Sequence, residues 1–379
     1  MKIAFIGQKG LPAHGGGVER YVEDLSSRLA ARGHEVVVYS RAHYTSRSRV
    51  RYRGVRLLVW PTIHTKYLDA ISHTFLAVLH ATRSDYDIIH WQSIGPALLC
   101  WLPRLLGSRA KIVATLQSRD YEHQKWGVLA RTCLKLGEWL MCHLADELIV
   151  VTRDMERYVS ERYGRQAVYA PNGANLYEPV GSEELMRWGL RPGGYLVAVS
   201  RLVRHKGLHH LITAYQSLGE INQPLVIVGE GAFTDNYVME LKRLAKGNPR
   251  IIFTGNQSGE TLAQLYANAY LFIQPSSSEG LSLALLEAMA RRVPVLVSDI
   301  AANQEAVGEA GFVFTDQDAV DLGKRLAYLL ANPDLTRAGG EAGRDRVSKF
   351  FNWDKIAVEI EKIYQRPANL TAVKSKATI

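Results

Sequence analysis

Cysteine is scarce in this chain of 379 residues: Cys100, Cys133 and Cys142 are the only three. They are too few and too irregularly spaced for a disulfide framework or a zinc site, which fits a reducing compartment. Uninterrupted apolar runs are also missing. A membrane-spanning helix needs about 18 or more apolar residues in a row. The nearest stretch, 94–106, is broken by Pro96, Pro103 and Arg104. The opening Met1-Lys-Ile-Ala-Phe-Ile-Gly7 reads as a strand rather than a secretory leader. Short-period repeats and low-complexity tracts are absent, and the 12 histidines form no His-Glu-x-x-His cluster. These absences argue against a disulfide-stapled scaffold, an integral membrane protein, a solenoid and a zincin.

The apolar and charged fractions, 47% and 22%, belong to an ordinary globular protein that buries a sizeable core. The length suggests about two domains. Short apolar strand patterns alternate with helical ones from Lys2 onward, in two series. The first series has strands near 2–7, 35–40, 55–60, 88–91, 112–116 and 148–152. The second has strands near 195–200, 225–229, 251–255, 271–275 and 295–298. Such alternation predicts parallel sheets flanked by helices, hence two doubly wound domains. The join falls in the Gly-, Pro- and Asn-rich stretch 171–192.

Charge is uneven. Residues 1–180 carry 24 Lys+Arg against 16 Asp+Glu, and the rest carry 22 against 21. Arg47, Arg49, Arg51, Arg53 and Arg56 form a dense cluster, followed by Trp60. Alternation along one strand would put Arg47 to Arg53 on one side, either as a solvated face or as a patch for an anionic membrane surface. Nucleic acid is not expected, since no recognition motif accompanies the charge.

Several loops after strands carry chemistry. Gly7-Gln-Lys-Gly10 through Gly15-Gly16-Gly17-Val-Glu19 opens a helix, where backbone N–H groups can meet phosphate. It matches neither the Gly-x-Gly-x-x-Gly fingerprint nor a Walker loop, so NAD and P-loop readings are weak. In Ser200-Arg201-Leu-Val-Arg204-His205-Lys206-Gly207, Arg201 and Lys206 can converge on one diphosphate. Gly229-Glu230-Gly231 ends the next strand. In Glu279-Gly280-Leu281-Ser282-Leu-Ala-Leu-Leu-Glu287 two carboxylates are eight residues apart. A helix starting near Gly280 and capped from Ser276-Ser277-Ser278 would place them within about 80° on one face. Carboxylates there accept from sugar hydroxyls. Asp85-Tyr86-Asp87 resembles a metal-binding Asp-x-Asp but precedes a strand and reads as a turn, so no metal is implied.

Taken in order, the Gly15–Glu19 turn, the Arg201/Lys206 loop, Gly229-Glu230-Gly231 and Glu279-x7-Glu287 resemble the retaining glycosyltransferases of family 4. Asp120-Tyr-Glu-His-Gln-Lys125-Trp126-Gly127 resembles the rhamnosyltransferase-like bacterial subgroup that assembles surface polysaccharide. The resemblance spans about residues 1–365. It implies an α/β GT-B fold of two Rossmann-like domains facing across a cleft. Residues 1–175, completed by a helix at about 352–366, would bind acceptor. Residues 176–351 would bind the nucleotide sugar, and 367–379 would be a disordered tail.

The expected activity is transfer of a hexose or deoxyhexose from a nucleoside diphosphate sugar to a glycan or lipid-linked acceptor. It would proceed with retention, without metal or cofactor, in the cytoplasm or on the inner membrane leaflet. The resemblance implies Arg201, Lys206 and Glu279 as catalytic. It implies Gly16, Gly17, Gly229, Asn256, Gln257, Gly280, Leu281, Ser282 and Glu287 as further donor contacts, with Glu287 on the ribose and Glu279 on the sugar. Gln117, Asp120, Tyr121 and His123 are the acceptor candidates. Many relatives carry His where this chain has Gln117, and Gln can hydrogen-bond a hydroxyl but cannot take a proton. The competing readings are a GT-B sugar phosphorylase or nucleotide-sugar epimerase, and a non-catalytic nucleotide-sugar binder.

Overall fold

The computed structural model describes residues 1–65, 67–122, 126–232 and 234–367. It divides into two compact units: Met1–Asn172 joined by the chain from Trp353 onward, and Gly173–Asn352.

In the first unit the strands are β1 (Lys2–Ile6), β2 (Glu35–Arg41), β3 (Arg51–Tyr52), β4 (Val55–Trp60), β5 (Ile88–Gln92), β6 (Lys111–Leu116), β7 (Glu147–Val150) and β8 (Val168–Tyr169). Among the described residues they form one sheet in the order β3-β4-β2-β1-β5-β6-β7-β8. Every pairing is parallel except the β3–β4 hairpin. Helices cover both faces, so β1 and β6 are apolar almost throughout; Ile3, Phe5, Ile112 and Val113 are wholly buried. The crossover helices are α1 (Gly17–Ala31), α2 (Leu68–Ala81), α3 (Leu102–Leu105), α4 (Val128–Leu144) and α5 (Arg153–Tyr163). The β1–α1–β2 crossover runs one way along the sheet, and those from β4 to β8 run the other. Right-handed crossovers then put α1 on one face and α2, α3 and α4 on the opposite face.

The last helix, Trp353–Gln365, returns to this unit and packs on α1. Trp353 is buried with its ring 5.5 Å from that of Tyr21. Arg28 pairs with Asp354 at 2.7 Å, and Arg32 and His34 both reach Glu361, at 2.6 and 2.9 Å. Tyr364 Oη lies 2.7 Å from His90 Nδ1, and Thr115 Oγ1 lies 2.6 Å from His90 Nε2. His90 is fully buried, and burial pushes its pKa down to about 3. Below pH ~6.5 the unfolded chain takes a proton there that the folded chain refuses. Stability is therefore intact above pH ~6.5 and falls on acidification by about 1.4 kcal/mol per pH unit from this residue alone. Between pH 7 and 5 the loss is expected to reach about 2 kcal/mol. Urea titrations at the two pH values check this. His90→Gln should remove that share of the pH dependence, and an identical dependence in both proteins would contradict the account.

The arginine cluster does not line one face of a strand. Only Arg51 and Tyr52 are extended before the chain reverses at Arg53 (φ 45°) and Gly54 (φ 81°). Positive φ at both central residues is the two-residue hairpin geometry whose twist matches its strands. Arg51 then faces Arg56 across the hairpin, Arg53 pairs with Glu23 at 3.5 Å, and Arg49 and Arg53 sit over the Tyr52 ring. The sequence pattern alternated, but a tight turn interrupts it.

The second unit alternates β9 (Leu196–Val199), α6 (Leu208–Ser217), β10 (Leu225–Val228), α7 (Asp235–Leu244), β11 (Ile251–Gly255), α8 (Gly259–Ala267), β12 (Leu271–Gln274), α9 (Leu283–Ala290), β13 (Val295–Ser298), α10 (Ala301–Val307) and β14 (Phe312–Phe314). Two long helices, α11 (Ala319–Ala331) and α12 (Pro333–Phe350), close it. The sheet is parallel in the order β11-β10-β9-β12-β13-β14. Leu196, Ile227, Leu271, Leu296 and Phe314 form its core with Leu211, Leu322 and Leu326 from the helices. Strand β14 is not among the sequence expectations; three residues are too short for a periodic signal.

Candidate active site

The order of the second sheet selects the site. From β9 the chain steps outward to β10 and β11, then returns to the other side of β9 with β12. Ligands of doubly wound sheets bind at the carboxyl ends of the strands where the order reverses. Here that point is the β9/β12 boundary, and the Arg201–Gly207 and Pro275–Ser282 loops leave from it.

The two loops are fastened together. Ser277 N–H donates to the His205 carbonyl at 2.9 Å. Gly207 has φ 66° and lies so close to Pro275 that a Cβ would overlap the Pro275 carbonyl oxygen. Across this contact Lys206 Nζ donates to Glu279 Oε1. Both side chains are largely buried, 14% and 9% exposed. Arg204 is turned away into an ion pair with Glu240 and lies over the Tyr237 ring. Arg201 is exposed, and among the described residues its side chain makes no ion pair. The loop therefore offers one oriented ammonium and one uncommitted guanidinium to an anionic ligand.

Neighbouring strands add backbone. Gly229, with φ 137°, presses against the Ser200 carbonyl, and its N–H donates to Gly255 O at 2.9 Å. Leu202 N–H donates to Glu230 O at 2.8 Å. Asn256 and Gln257 follow β11; Gln257 Nε2 donates to Thr254 O at 2.7 Å. The ends of β11, β10, β9 and β12 thus bring Asn256, Gln257, Gly229, Arg201, Lys206 and Glu279 to one edge of one sheet.

The two carboxylates do not share a helix. Helix α9 begins at Leu283, not near Gly280, and its cap is Ser282, whose Oγ accepts from Leu285 N–H at 3.4 Å. Two of the three preceding serines are held by distant partners. Ser276 is buried with its carbonyl accepting from Ser298 Oγ, and Ser277 is bonded to His205. Glu279 therefore lies in the loop, while Glu287 sits just over one turn into α9 and is 8% exposed. Gly280 and Leu281 are buried beneath the loop.

A buried polar chain fixes this arrangement. Ser282 Oγ donates to Gln274 Oε1 (2.6 Å), Gln274 Nε2 to Asn303 Oδ1 (2.7 Å), and Asn303 Nδ2 to Ser298 Oγ (2.9 Å). Gln274, Ser298 and Asn303 carry no motif. The available signal was a polar residue ending each of two apolar strands, β12 and β13.

In the first unit Gly16 (φ 98°) precedes α1, Gly17 begins it, and both are exposed. Two buried carboxylates of α1 hold the loop in front of them: Glu19 accepts from Lys9 N–H at 3.0 Å and Glu23 from Ala13 N–H at 2.5 Å. At the α1 N-terminus the Glu19 carboxylate also lies against Gly16, whereas Gly15 and Gly17 face open space, leaving backbone that an anion can approach. Gln117, at the end of β6, donates to Gln92 Oε1 at 3.1 Å. Asp120 accepts from Ser118 Oγ at 2.6 Å. The Tyr121 hydroxyl is committed to the interior, 3.0 Å from that of Tyr158 and 3.5 Å from buried Glu138. His123 lies outside the described residues, as does the expected tail from 368 onward.

The model of Glycosyltransferase Family 4 matches residues 15–178, and that of Glycosyl transferases group 1 matches residues 191–346. The chain is a GT4-type glycosyltransferase. It is 27% identical to a glycogen synthase of Mycobacterium tuberculosis, over 96% of this chain and 94% of that one. It is 26% identical to a GDP-mannose-dependent alpha-(1-6)-phosphatidylinositol monomannoside mannosyltransferase of the same organism, over 92% and 94%. The crystal structure of Anabaena HepE in complex with UDP and glucose superposes with a TM-score of 0.79 at 21% identity, over 96% of this chain and 99% of that one. This glycosyltransferase thus has the α/β GT-B fold, with its site-bearing loops on two parallel sheets.

Proposed function

We propose that this glycosyltransferase moves a hexose or deoxyhexose from a nucleoside diphosphate sugar to a glycan or lipid-linked acceptor, in the cytoplasm, with retention and without a metal. The observation that carries the reading is the Lys206–Glu279 pair at the switch point, beside exposed Arg201. When the C1–O bond to the diphosphate breaks, negative charge grows on the leaving oxygen. Lys206 and Arg201 supply fixed positive charge there. Glu279 holds the ammonium in place and offers its second oxygen to a sugar hydroxyl. Glu287 takes the ribose hydroxyls. The acceptor oxygen bonds C1 on the face the diphosphate leaves, and its proton passes to a diphosphate oxygen, so no protein nucleophile is required. Donor names among the relatives, GDP-mannose and UDP with glucose, support a nucleotide sugar. The rhamnosyltransferase-like stretch from Asp120 to Gly127 adds deoxyhexoses to the donors to try first.

A thermal-shift screen against UDP-, GDP-, dTDP- and ADP-sugars tests the donor. A ligand at 100 times its Kd stabilises by about 2.7 kcal/mol. One nucleotide class is expected to raise Tm, and Glu287→Ala to abolish the rise. No shift with any donor, or nucleotide release driven by inorganic phosphate alone, would overturn the reading. EDTA is expected to leave the rate unchanged.

A further inference from the structure

The α2–α3–α4 face of the first unit has a composition that the donor chemistry does not use. Most exposed large apolar side chains of that unit lie on it. Leu105 is 71% exposed, Val128 83% and Leu129 79%, with Trp101, Leu136 and Trp139 beside them. On α4 the stripe Leu129, Thr132, Leu136, Trp139 and His143 follows helical spacing and faces outward. The three helices are neighbours: α2 packs against α3, and both α2 and α4 pack on the 3-10 turn Pro96–Leu99. The Tyr67 ring, ahead of α2, lies 6.1 Å from that of Trp126, ahead of α4.

The acids within the helices of this face are paired or buried. No Asp or Glu occurs between Asp87 and Asp120. The acid within α2, Asp69, is paired with Arg41. The acid within α4, Glu138, is fully buried, where Tyr158 and Tyr163 donate to it at 2.8 and 2.5 Å. Positive charge is kept on it: Arg109, Arg131 and Lys135 are exposed, and Arg104, also exposed, is paired with Asp146 just after α4. Apolar side chains, two tryptophans and an excess of cations over anions are what an anionic lipid leaflet takes up: the apolar groups enter the acyl boundary, the indoles sit at headgroup depth, and the cations meet lipid phosphate. A second copy of the chain would set these arginines against their own images.

We propose that the α2–α3–α4 face docks the protein on an anionic membrane leaflet, and that the Arg47–Arg56 region does not. Docking is peripheral, because no described helix is long and apolar enough to cross a membrane. The face adjoins the acceptor candidates. The Asp120–Glu122 turn packs on α4, and Lys135 Nζ lies 5.6 Å from the centre of the Tyr121 ring. A lipid-linked acceptor would therefore be presented beside Gln117 and Asp120. That last step rests on the proposed function; the docking does not.

The test is sedimentation of the full chain with phosphatidylcholine–phosphatidylglycerol vesicles and with pure phosphatidylcholine vesicles. Wild type is expected to partition onto the anionic vesicles and weakly onto the neutral ones. Leu129→Glu with Trp139→Glu, both at exposed positions, should lower partitioning more than about tenfold at unchanged Tm. Arg47→Glu with Arg49→Glu should lower it less than about twofold. Absence of wild-type binding, equal binding by the Leu129/Trp139 variant, or loss of binding confined to the Arg47/Arg49 variant would each overturn the proposal. So would a dimer in solution that the Leu129/Trp139 variant dissociates, since the face would then cover a second copy. Vesicle binding is read without turnover, so its failure leaves the nucleotide-sugar reading standing, and a failed donor screen leaves the docking standing.

Discussion

Lys206→Ala is expected to lower transfer from a nucleoside diphosphate sugar by about 10²- to 10³-fold. That is the usual consequence of removing one preorganised group from developing charge. It also carries a structural cost: Glu279 would remain 9% exposed with its cation gone. Breaking a buried pair from one side costs about 3 kcal/mol or more. Two comparisons separate these effects. Lys206→Ala with Glu279→Gln removes the stranded charge, so Tm should recover while turnover does not. Arg201→Ala touches an exposed side chain that makes no ion pair among the described residues, so turnover should fall at unchanged Tm. Nucleotide release under saturating donor, with Tm measured alongside, checks all three. Full turnover in Lys206→Ala would remove the lysine from the mechanism.

Gly207→Ala is expected to be among the most damaging single-methyl changes near the site. The backbone there is left-handed, φ 66°, which costs a residue with a Cβ about 1–2 kcal/mol. The added methyl must also displace the Pro275 carbonyl, and overpacking of that kind costs about 1–3 kcal/mol. The total, about 2–5 kcal/mol, falls on the contact that holds Lys206 against Glu279. Turnover and stability should therefore drop together. Gly219 supplies the control: its φ is 71°, but no atom lies within 4 Å of an added Cβ. Gly219→Ala should show the backbone cost alone, about 1–2 kcal/mol, with normal turnover. Urea unfolding of both variants distinguishes them, and equal destabilisation would mean that the Pro275 contact yields without cost.

The acidic motif shows how far local reading goes. A serine triplet ahead of an apolar run is a sound capping signal, yet the cap is Ser282 and the helix begins three residues later than expected. The triplet is diverted by partners distant in the chain: Ser298 takes the Ser276 carbonyl, and the His205 carbonyl takes the Ser277 N–H. The arginine cluster gives the same lesson, since its alternation was real but a two-residue turn at Arg53 and Gly54 folds it back on itself.

Strand and helix positions were readable because apolar periodicity is a property of neighbours in sequence. The Arg201/Lys206 loop and the Gly229 turn were readable for a related reason: each stands directly after a strand, where ligands of such sheets gather. What the tertiary structure alone decided is which loops meet. Lys206 and Glu279 are 73 residues apart and touch only because β12 returns to the free side of β9. Likewise Glu138 could be known as an acid from its letter, but its burial beneath tyrosines of the neighbouring helix, which leaves α4 with an apolar and cationic outer face, depends on packing between elements. Periodicity is set within a few residues, whereas crossover order and burial are set by the whole sheet.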